Sequence, residues 1–500
     1  MRKRYGVLVL ALVCMTLGGC GVGAEVEADY PVLKMMSMGS EPRQMEEIYR
    51  ELDALTEAEL GVDVRIAFYP WEDEAETVRK LVNTNSFDIY VFGTPFGSEE
   101  LIRKGAYLDM RPYLESMPRL IDFYGSQGVD LLGQEAVYSL PRIQNSTGYG
   151  FFYREDLRKA WGLEPVEDFV SMECYLYRAK EEYSENAPVN DKRFFDSLRN
   201  LMEGDQYYYL DYGMGIRWED KELVCLLETP EYRETLEVAA KWYRDGVISE
   251  DVLYLQNNNT MVTLELMWQD KAAAEFCNHF SAICSNYVMP LCGANPEWEL
   301  GWLDYGLLNN TCYDSYFTGT GQMGLAVDSK CKRPKLVMSF LEKVHTDSRY
   351  YNLLSYGVEG IHYELNEDGM VTYENIPAEN VFRGQIGLEQ DALMLTPQYP
   401  GNWDGVYRNV REQAAAMRLS NGKNPITAFG IDAAAYPEFQ DAISAYSGSR
   451  VRQMLETGTM ADIETGMRKF REELDAAGYD GFFQAVREEW ERFRKEHEFF

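Results

Sequence analysis

Alternating strands and helices are predicted for the first part of the chain from the spacing of its apolar residues. Short apolar runs that end in turn residues predict strands, and apolar residues at three- and four-residue spacing predict amphipathic helices. The predicted strands span 32–38, 62–68 and 87–92, and the predicted helices span 42–60 and 72–82. This alternating order predicts a parallel sheet with right-handed crossovers.

The carboxyl ends of these strands are the expected ligand-binding positions, because open parallel sheets bind ligands just beyond those ends. Ser40 and Glu41 follow the first strand, Trp71 follows the second, and Phe96 follows the third. Each of the four is therefore a candidate ligand contact.

A second informative segment lies between residues 319 and 373. A strand is predicted at 324–327, and Pro334 is suited to the first turn of a helix. A further short helix is predicted to end near Gly357. Gly357 and Gly360 then form a turn in which both can take positive φ, and a hairpin turn follows at 366–369.

The order of these elements, with the passage YGVEGIHYELNEDG at 356–369, resembles the extracellular solute-binding lipoproteins of ABC importers. It is most similar to their large carbohydrate-type, LipO-like branch. Shorter passages at 105–114, 134–141, 150–157 and 242–248 resemble the same family, in the same order. Each passage is weak alone, and the specific signal is their order.

The resemblance implies a two-lobed α/β fold of the periplasmic-binding-protein type (type II), with a hinge and a helical C-terminal segment. Lobe 1 is expected to comprise residues 30–142 and 317–375. Lobe 2 is expected to comprise residues 143–316 and 376–500. The ligand would then lie between the lobes.

A carbohydrate ligand would need aromatic faces for its C–H groups and polar partners for its hydroxyl groups. At strand ends and turns, and in one position suggested by the family, the candidate stacking residues are Trp71, Phe96, Trp268, Trp302, Tyr356 and Trp403. The candidate hydrogen-bonding residues are Ser40, Glu41, Asp304, Glu359 and Asn402. Glu359 has an alternative role, bracing the hinge by accepting backbone N–H bonds. Any single aromatic is more often a core residue than a ligand contact.

The first 20 residues predict export and lipidation. A basic start, Arg2 to Arg4, precedes an apolar stretch at 5–17, and Leu17-Gly18-Gly19-Cys20 matches a bacterial lipobox. The stretch 5–19 would form a helix of about 22 Å, shorter than the roughly 30 Å hydrocarbon core of a membrane. We therefore predict a signal peptide at 1–19, a lipid anchor on Cys20 and a tether at 20–29.

Charge and motifs exclude several classes of function. The net charge of −34 argues against a nucleic-acid partner. The pattern G-x-G-x-x-G at 319–324 precedes a predicted strand instead of following one, which argues against a nucleotide cofactor. None of the four histidines stands in H-E-x-x-H, so neither a catalytic metal nor another cofactor is expected. Seven cysteines remain after Cys14 and Cys20, and buried free thiols are favoured over a disulfide.

These observations favour a monomeric binding protein without catalytic residues, held outside the cytoplasm on the cell membrane. Its expected partners are an oligosaccharide, the transmembrane subunits of an ABC permease and the membrane itself, through the anchor. Three alternatives remain open: a peptide-binding protein of the same fold, a surface carbohydrate-active enzyme, and a signalling or adhesion lipoprotein without a transporter.

Overall fold

A computed structural model describes residues 30–71, 73–126, 129–141, 148–191, 194–255, 260–312, 314–315, 323–382 and 395–496. The predicted signal peptide, Cys20 and the predicted tether lie outside the described residues.

The strands are β1 (Val32–Met38), β2 (Asp63–Tyr69), β3 (Ile89–Phe92), β4 (Leu140–Pro141), β5 (Tyr149–Arg154), β6 (Tyr207–Tyr209), β7 (Met214–Arg217), β8 (Leu223–Cys225), β9 (Ala274–His279), β10 (Leu300–Asp304), β11 (Asp314–Ser315), β12 (Gly324–Val327), β13 (Glu364–Leu365), β14 (Val371–Thr372) and β15 (Lys423–Asn424).

The helices are α1 (Met45–Leu60), α2 (Glu74–Asn83), α3 (Ser98–Arg103), α4 (Arg111–Leu114), α5 (Pro118–Ser126), α6 (Glu155–Ala160), α7 (Phe169–Glu182), α8 (Phe194–Glu203), α9 (Pro230–Arg244), α10 (Thr260–Trp268), α11 (Phe280–Ala282), α12 (Met289–Ala294), α13 (Tyr305–Leu308), α14 (Pro334–Thr346), α15 (Ser348–Tyr356), α16 (Trp403–Asn421), α17 (Gln440–Gly448), α18 (Arg450–Glu456), α19 (Ile463–Ala476) and α20 (Tyr479–Glu496).

The first sheet has the strand order β2-β1-β3-β12-β4. β1 pairs in parallel with β2 and with β3, which confirms the parallel arrangement predicted for the first three strands. β12 is antiparallel to both β3 and β4. The bounds of the predicted elements between residues 32 and 92 differ from the observed ones by at most three residues.

Apolar side chains extend from both faces of the first sheet. Leu33 and Met35 of β1 enter one hydrophobic cluster, while Met36 and Met38 enter another on the opposite face. Alternate side chains of a strand point to opposite faces, so the buried leucine and methionines of β1 fill both. Neither face of this sheet is therefore open to a ligand.

The second sheet is antiparallel, with the order β10-β5-β9, and is also covered on both faces. Phe151 of β5 lies in the largest hydrophobic cluster, and Phe152 lies in a separate one. The C-terminal helices join the larger cluster through Phe470, Phe482 and Trp490. The helical C-terminal segment thus packs on the core that contains β5.

The described cysteines include Cys284, Cys292 and Cys312 as buried free thiols. Burial raises the pKa of the Cys292 thiol to about 11. A thiolate is therefore disfavoured there, and these residues behave as small apolar side chains.

Glu203, at the end of α8, is a buried carboxyl group that accepts a hydrogen bond from the Thr235 hydroxyl. Burial is the main cause of its raised pKa, which is about 7 against an ordinary value of 4.5. A folded-state pKa above the unfolded value means that the folded protein binds the proton more tightly. Its contribution to stability is therefore present below about pH 4.5 and is lost as the pH rises through 7.

Replacing Glu203 by Gln removes this pH dependence. We therefore expect the stability of Glu203→Gln, relative to that of the wild type, to increase between pH 5 and pH 8, and its melting temperature to rise accordingly. The relative increase in the free energy of unfolding is on the order of 3 kcal/mol at most, at about 1.4 kcal/mol per pKa unit. Calorimetry across this pH range measures it. Glu297→Gln, at an exposed position, is the control, and parallel melting curves for Glu203→Gln and wild type would contradict the prediction.

Candidate functional site

The carboxyl edge of the first sheet carries three of the predicted ligand contacts. Ser40 and Glu41 follow β1 and are exposed, and Trp71 follows β2 with 43% of its surface exposed. The Trp71 ring lies 6.0 Å from the ring of Phe96. This edge thus presents an aromatic face beside polar side chains.

The chain leaves and re-enters the first sheet at this same edge. Pro141, the last residue of β4, pairs with Gly324, the first residue of β12. Gly324 also pairs with Phe92, the last residue of β3. Two of the connections between the sheets therefore start where the parallel strands end.

One end of the second sheet is tied to that edge, and we call it the crossover end. Tyr149, the first residue of β5, pairs there with His279, and the neighbouring Gly150 pairs with Asp304. Pro141 and Tyr149 are eight residues apart in sequence, so their separation is at most about 29 Å. A short segment of chain therefore connects the crossover end to the carboxyl edge of the first sheet.

Trp302 and Asp304 lie together near the crossover end. Asp304 is buried; its Oδ1 accepts a hydrogen bond from the backbone N–H of Leu307 at 2.9 Å, and its Oδ2 accepts one from Trp302 Nε1 at 3.0 Å. The Trp302 ring lies directly over Gly150, where a Cβ would be 2.3 Å from Cζ2 of the indole. Asp304 therefore caps α13 and fixes the orientation of Trp302.

Three predicted stacking residues are buried in the structure. Phe96 and Trp403 have 1% and 0% of their surface exposed, and Tyr356 has 7%. Trp403 contacts the rings of Phe152 and Phe280, and the Tyr356 hydroxyl donates to the carbonyl oxygen of Leu395 at 2.9 Å. Their ring faces are covered by the protein itself.

Asn402 has both ends of its amide engaged with the backbone of one residue. Its Oδ1 accepts from the N–H of Leu300 at 3.0 Å, and its Nδ2 donates to the carbonyl oxygen of Leu300 at 2.7 Å. Leu300 is the first residue of β10 and lies at the end of the sheet away from Asp304. Asn402 thus extends the sheet at its edge, away from the crossover end.

Trp268 is 55% exposed but lies far from Trp302 and Asp304 along the sheet. It ends α10, and the next turn brings Asp270 to Arg154, the last residue of β5, at 3.1 Å. The two ends of β9 are separated by roughly 16 Å, at about 3.3 Å per residue. The structure therefore does not bring Trp268 to the crossover end.

Glu359 is exposed in the turn after α15 and forms a bridge through its backbone with Tyr363. Gly357 and Gly360 have φ values of 80° and 78°, which confirms the predicted positive-φ turn. At Gly357 a Cβ would lie 2.7 Å from the ring of His362.

Tyr149 and His279 were not predicted from the sequence, although they occupy the crossover end. Their ring centroids are 3.9 Å apart, and Tyr149 is 39% exposed. Tyr149 stands just before the GFFYRED passage, and its position as the first strand residue after a crossing was the available signal. His279 carries no such signal, because only the strand register pairs it with Tyr149.

One group of described residues could hold a metal ion: oxygen atoms of Asp53, Glu57 and Asp63 lie within 4.8 Å of one another. Arg65 already makes a bidentate ion pair with Asp53, at 2.7 and 3.0 Å. Asp63 is the first residue of β2, so the group lies at the edge opposite Ser40 and Trp71. It is distinct from the candidate ligand site.

An ion pair connects the hydrophobic cores of the first and second sheets near the carboxyl edge. Arg103 ends α3, which packs on the first sheet through Leu101. Its guanidinium lies 3.3 Å from the carboxylate of Asp432, whose neighbours Ile431 and Ala433 pack on the core that contains β5. This contact bridges the two cores across the gap between them.

Two sheets joined at one edge, with exposed aromatic and polar side chains facing that edge, define a binding protein of the periplasmic-binding-protein fold. The chain belongs to the bacterial extracellular solute-binding proteins, whose family model matches residues 39–347. Members of this family are non-enzymatic transport components, which confirms the expectation that the chain is not an enzyme. Within the described residues, no helix is both long and apolar enough to cross a membrane.

One relative of known function supports this family assignment. A carbohydrate ABC transporter substrate-binding protein of Streptococcus pneumoniae is 22% identical over 254 residues, which cover 48% of this chain and 49% of that protein. The chain thus spans about half the length of this relative.

Solved structures share the fold over nearly the whole chain. The N-glycan transport solute-binding protein NgtS of S. pneumoniae has a TM-score of 0.70 at 18% identity, covering 93% of this chain and 99% of that chain. FusA of S. pneumoniae, in complex with kestose, has a TM-score of 0.59 at 13% identity and covers 93% of this chain and 100% of that chain. These likenesses confirm the predicted two-lobed class of fold.

Reversing one charge of the Arg103–Asp432 pair should favour separation of the two cores. A surface ion pair is worth about 0.2–1 kcal/mol, which changes an open-to-closed ratio up to about fivefold. We expect Arg103→Glu or Asp432→Arg to raise the radius of gyration of residues 30–500 in small-angle X-ray scattering, and the double variant to restore it.

Arg79→Glu is the matched control. Arg79 pairs with Glu100; both residues lie in helices that pack on the first sheet, and both are about as exposed as Arg103 and Asp432. Identical scattering from all four charge variants would show that the Arg103–Asp432 pair does not hold the cores together.

Proposed function

We propose that this protein is the substrate-binding component of an ABC importer and that it captures an oligosaccharide between two lobes. The observation that supports the proposal is the short chain connection between the carboxyl edge of the first sheet and the crossover end of the second. Trp71 lies at the first of these and Trp302 near the second, each beside polar side chains. The transport and binding functions named for the similar proteins support the same class of ligand.

The proposed lobes comprise residues 30–142 with 317–375, and residues 143–316 with 376–500. The separate hydrophobic clusters on the two sheets support this division. In the proposed mechanism, the lobes bend about the connections near Pro141 and Gly324 and close on the ligand. Closure follows only if the ligand binds the closed state more tightly than the open one. The closed form is then recognised by the transmembrane subunits of the permease.

Sugar chemistry suits the side chains on both sides of the gap. The apolar C–H face of a pyranose ring stacks on an indole, and its hydroxyl groups need hydrogen-bond partners at the rim. Ser40 and Glu41 supply a hydroxyl and a carboxylate next to Trp71. On the other side Asp304 acts by orienting Trp302, since both of its oxygens already accept hydrogen bonds.

We also propose that acyl chains on Cys20 hold the protein to the outer face of the cell membrane. The lipobox supports this anchor, and the extracellular location of the family is consistent with it. More than one acyl chain gives stable attachment where a single chain does not.

The binding function predicts a thermal shift with oligosaccharides. NgtS was crystallised with Man5GlcNAc and FusA with kestose, so these two sugars are suitable probes, alongside human milk oligosaccharides and a mixture of peptides. A ligand at about 100 times its Kd adds roughly 2.7 kcal/mol to the stability of residues 21–500. We expect a rise in melting temperature with at least one glycan, and no release of monosaccharide on long incubation. A shift with peptides alone would contradict the carbohydrate proposal.

The anchor predicts a labelling result. Cells that express the wild-type protein with a clickable fatty acid should label it and retain it in the membrane fraction. Cys20→Ala should lose both the label and the retention. Cys174→Ala removes an exposed cysteine elsewhere and should behave as the wild type. Label that persists on Cys20→Ala would exclude this site of attachment.

A further inference from the structure

We propose that Tyr149 and His279 form a sugar-stacking platform on the second lobe, an inference that rests on the proposed function and names a further binding site within it. The two rings are in contact, with centroids 3.9 Å apart and an interplanar angle of 34°. They come from paired residues of neighbouring strands, β5 and β9. Their contact is therefore fixed by the register of the sheet.

The exposure of Tyr149 is unusual for its strand. Phe151 and Phe152, which follow it closely in β5, have 0% of their surface exposed, whereas Tyr149 has 39%. His279 is exposed as well. An aromatic pair that stays partly in water, at the end of a strand that is otherwise buried, provides a flat surface outside the core.

The backbone beside the platform is held by the pairing of β5 with β9, in which Gly150 pairs with Asn278. Beyond the Tyr149–His279 pair, the N–H of Phe280 donates to the carbonyl oxygen of Gly148 at 3.1 Å. The imidazole in turn packs against the phenol ring and restricts its rotation. A side chain that is already ordered loses little conformational entropy when a ligand binds, which favours affinity.

The platform lies on the ligand side of the second sheet. It shares the crossover end with Asp304, and this end is tied to the edge that carries Trp71. A sugar ring between the lobes would meet Trp71 on one side and the platform on the other.

The test is a fluorescence titration of the full-length protein in a detergent without a sugar headgroup, because glycosidic detergents would compete for the site. The probes are Man5GlcNAc, kestose and a mixture of human milk oligosaccharides. Tyr149→Ala and His279→Ala should raise the Kd about tenfold or more, a loss of about 1.4 kcal/mol or more. Tyr149→Phe and His279→Phe keep the flat rings and should stay within about threefold of the wild type.

Two further variants separate stacking from general disruption. Tyr149→Leu keeps apolar bulk without a flat face and should lose affinity as Tyr149→Ala does, so the test survives if one variant folds poorly. Trp268→Ala removes an exposed aromatic at the opposite end of the sheet and should bind as the wild type does.

The outcomes distinguish this inference from the proposed function. If the wild type binds a glycan and Tyr149→Ala and Tyr149→Leu bind it equally well, the platform is wrong and the binding function stands. If the wild type binds none of the probes, the carbohydrate function fails and the platform fails with it.

Discussion

The insertion of β12 between β3 and β4 is the constraint on which the arrangement of the two sheets depends. All four residues of β12 are buried, and the strand is antiparallel to both neighbours. The close approach requires glycine at its start, because a Cβ at Gly324 would lie 2.4 Å from the carbonyl oxygen of Leu140. This strand returns to the first sheet at the edge from which β4 leaves. Pro141, where the chain leaves this sheet, and Gly324, where it returns, therefore lie side by side, an arrangement that suits the proposed bending of one lobe against the other.

Burial on both faces of each sheet decides where a ligand can bind. The first sheet has clusters on its two faces, and so does the second. Opening a face to a ligand would expose apolar side chains to water, at a free-energy cost of about 25 cal/mol for each Å² of apolar surface. Binding at a sheet edge has no comparable cost, because edge residues such as Ser40, Trp71 and Tyr149 are already exposed. The proposed recognition by edge residues is thus consistent with how the cores are built.

The aromatic side chains show the limit of reasoning from sequence. Trp71 and Trp403 both follow turn residues and look equivalent as candidate stacking residues. In the structure Trp71 is 43% exposed, whereas Trp403 is fully buried against Phe152 and Phe280. The difference comes from α16, which begins at Trp403 and lies on the second sheet. With 35 tyrosines and nine tryptophans in the chain, only such packing separates a core ring from a ligand surface.

The sequence by itself determined several of the elements, the parallel order of the first sheet and, through the family resemblance, the class of fold. Periodicity and turn chemistry are local, so β1 to β3, α14 and the turn at Gly357 could be predicted from neighbouring residues. The family resemblance added the two-lobed arrangement through the order of its passages. Only the tertiary structure decided which candidate residues lie together, because strand register pairs residues that are far apart in sequence. Tyr149 pairs with His279 and Gly150 pairs with Asp304, whereas Trp268 lies at the opposite end of the sheet.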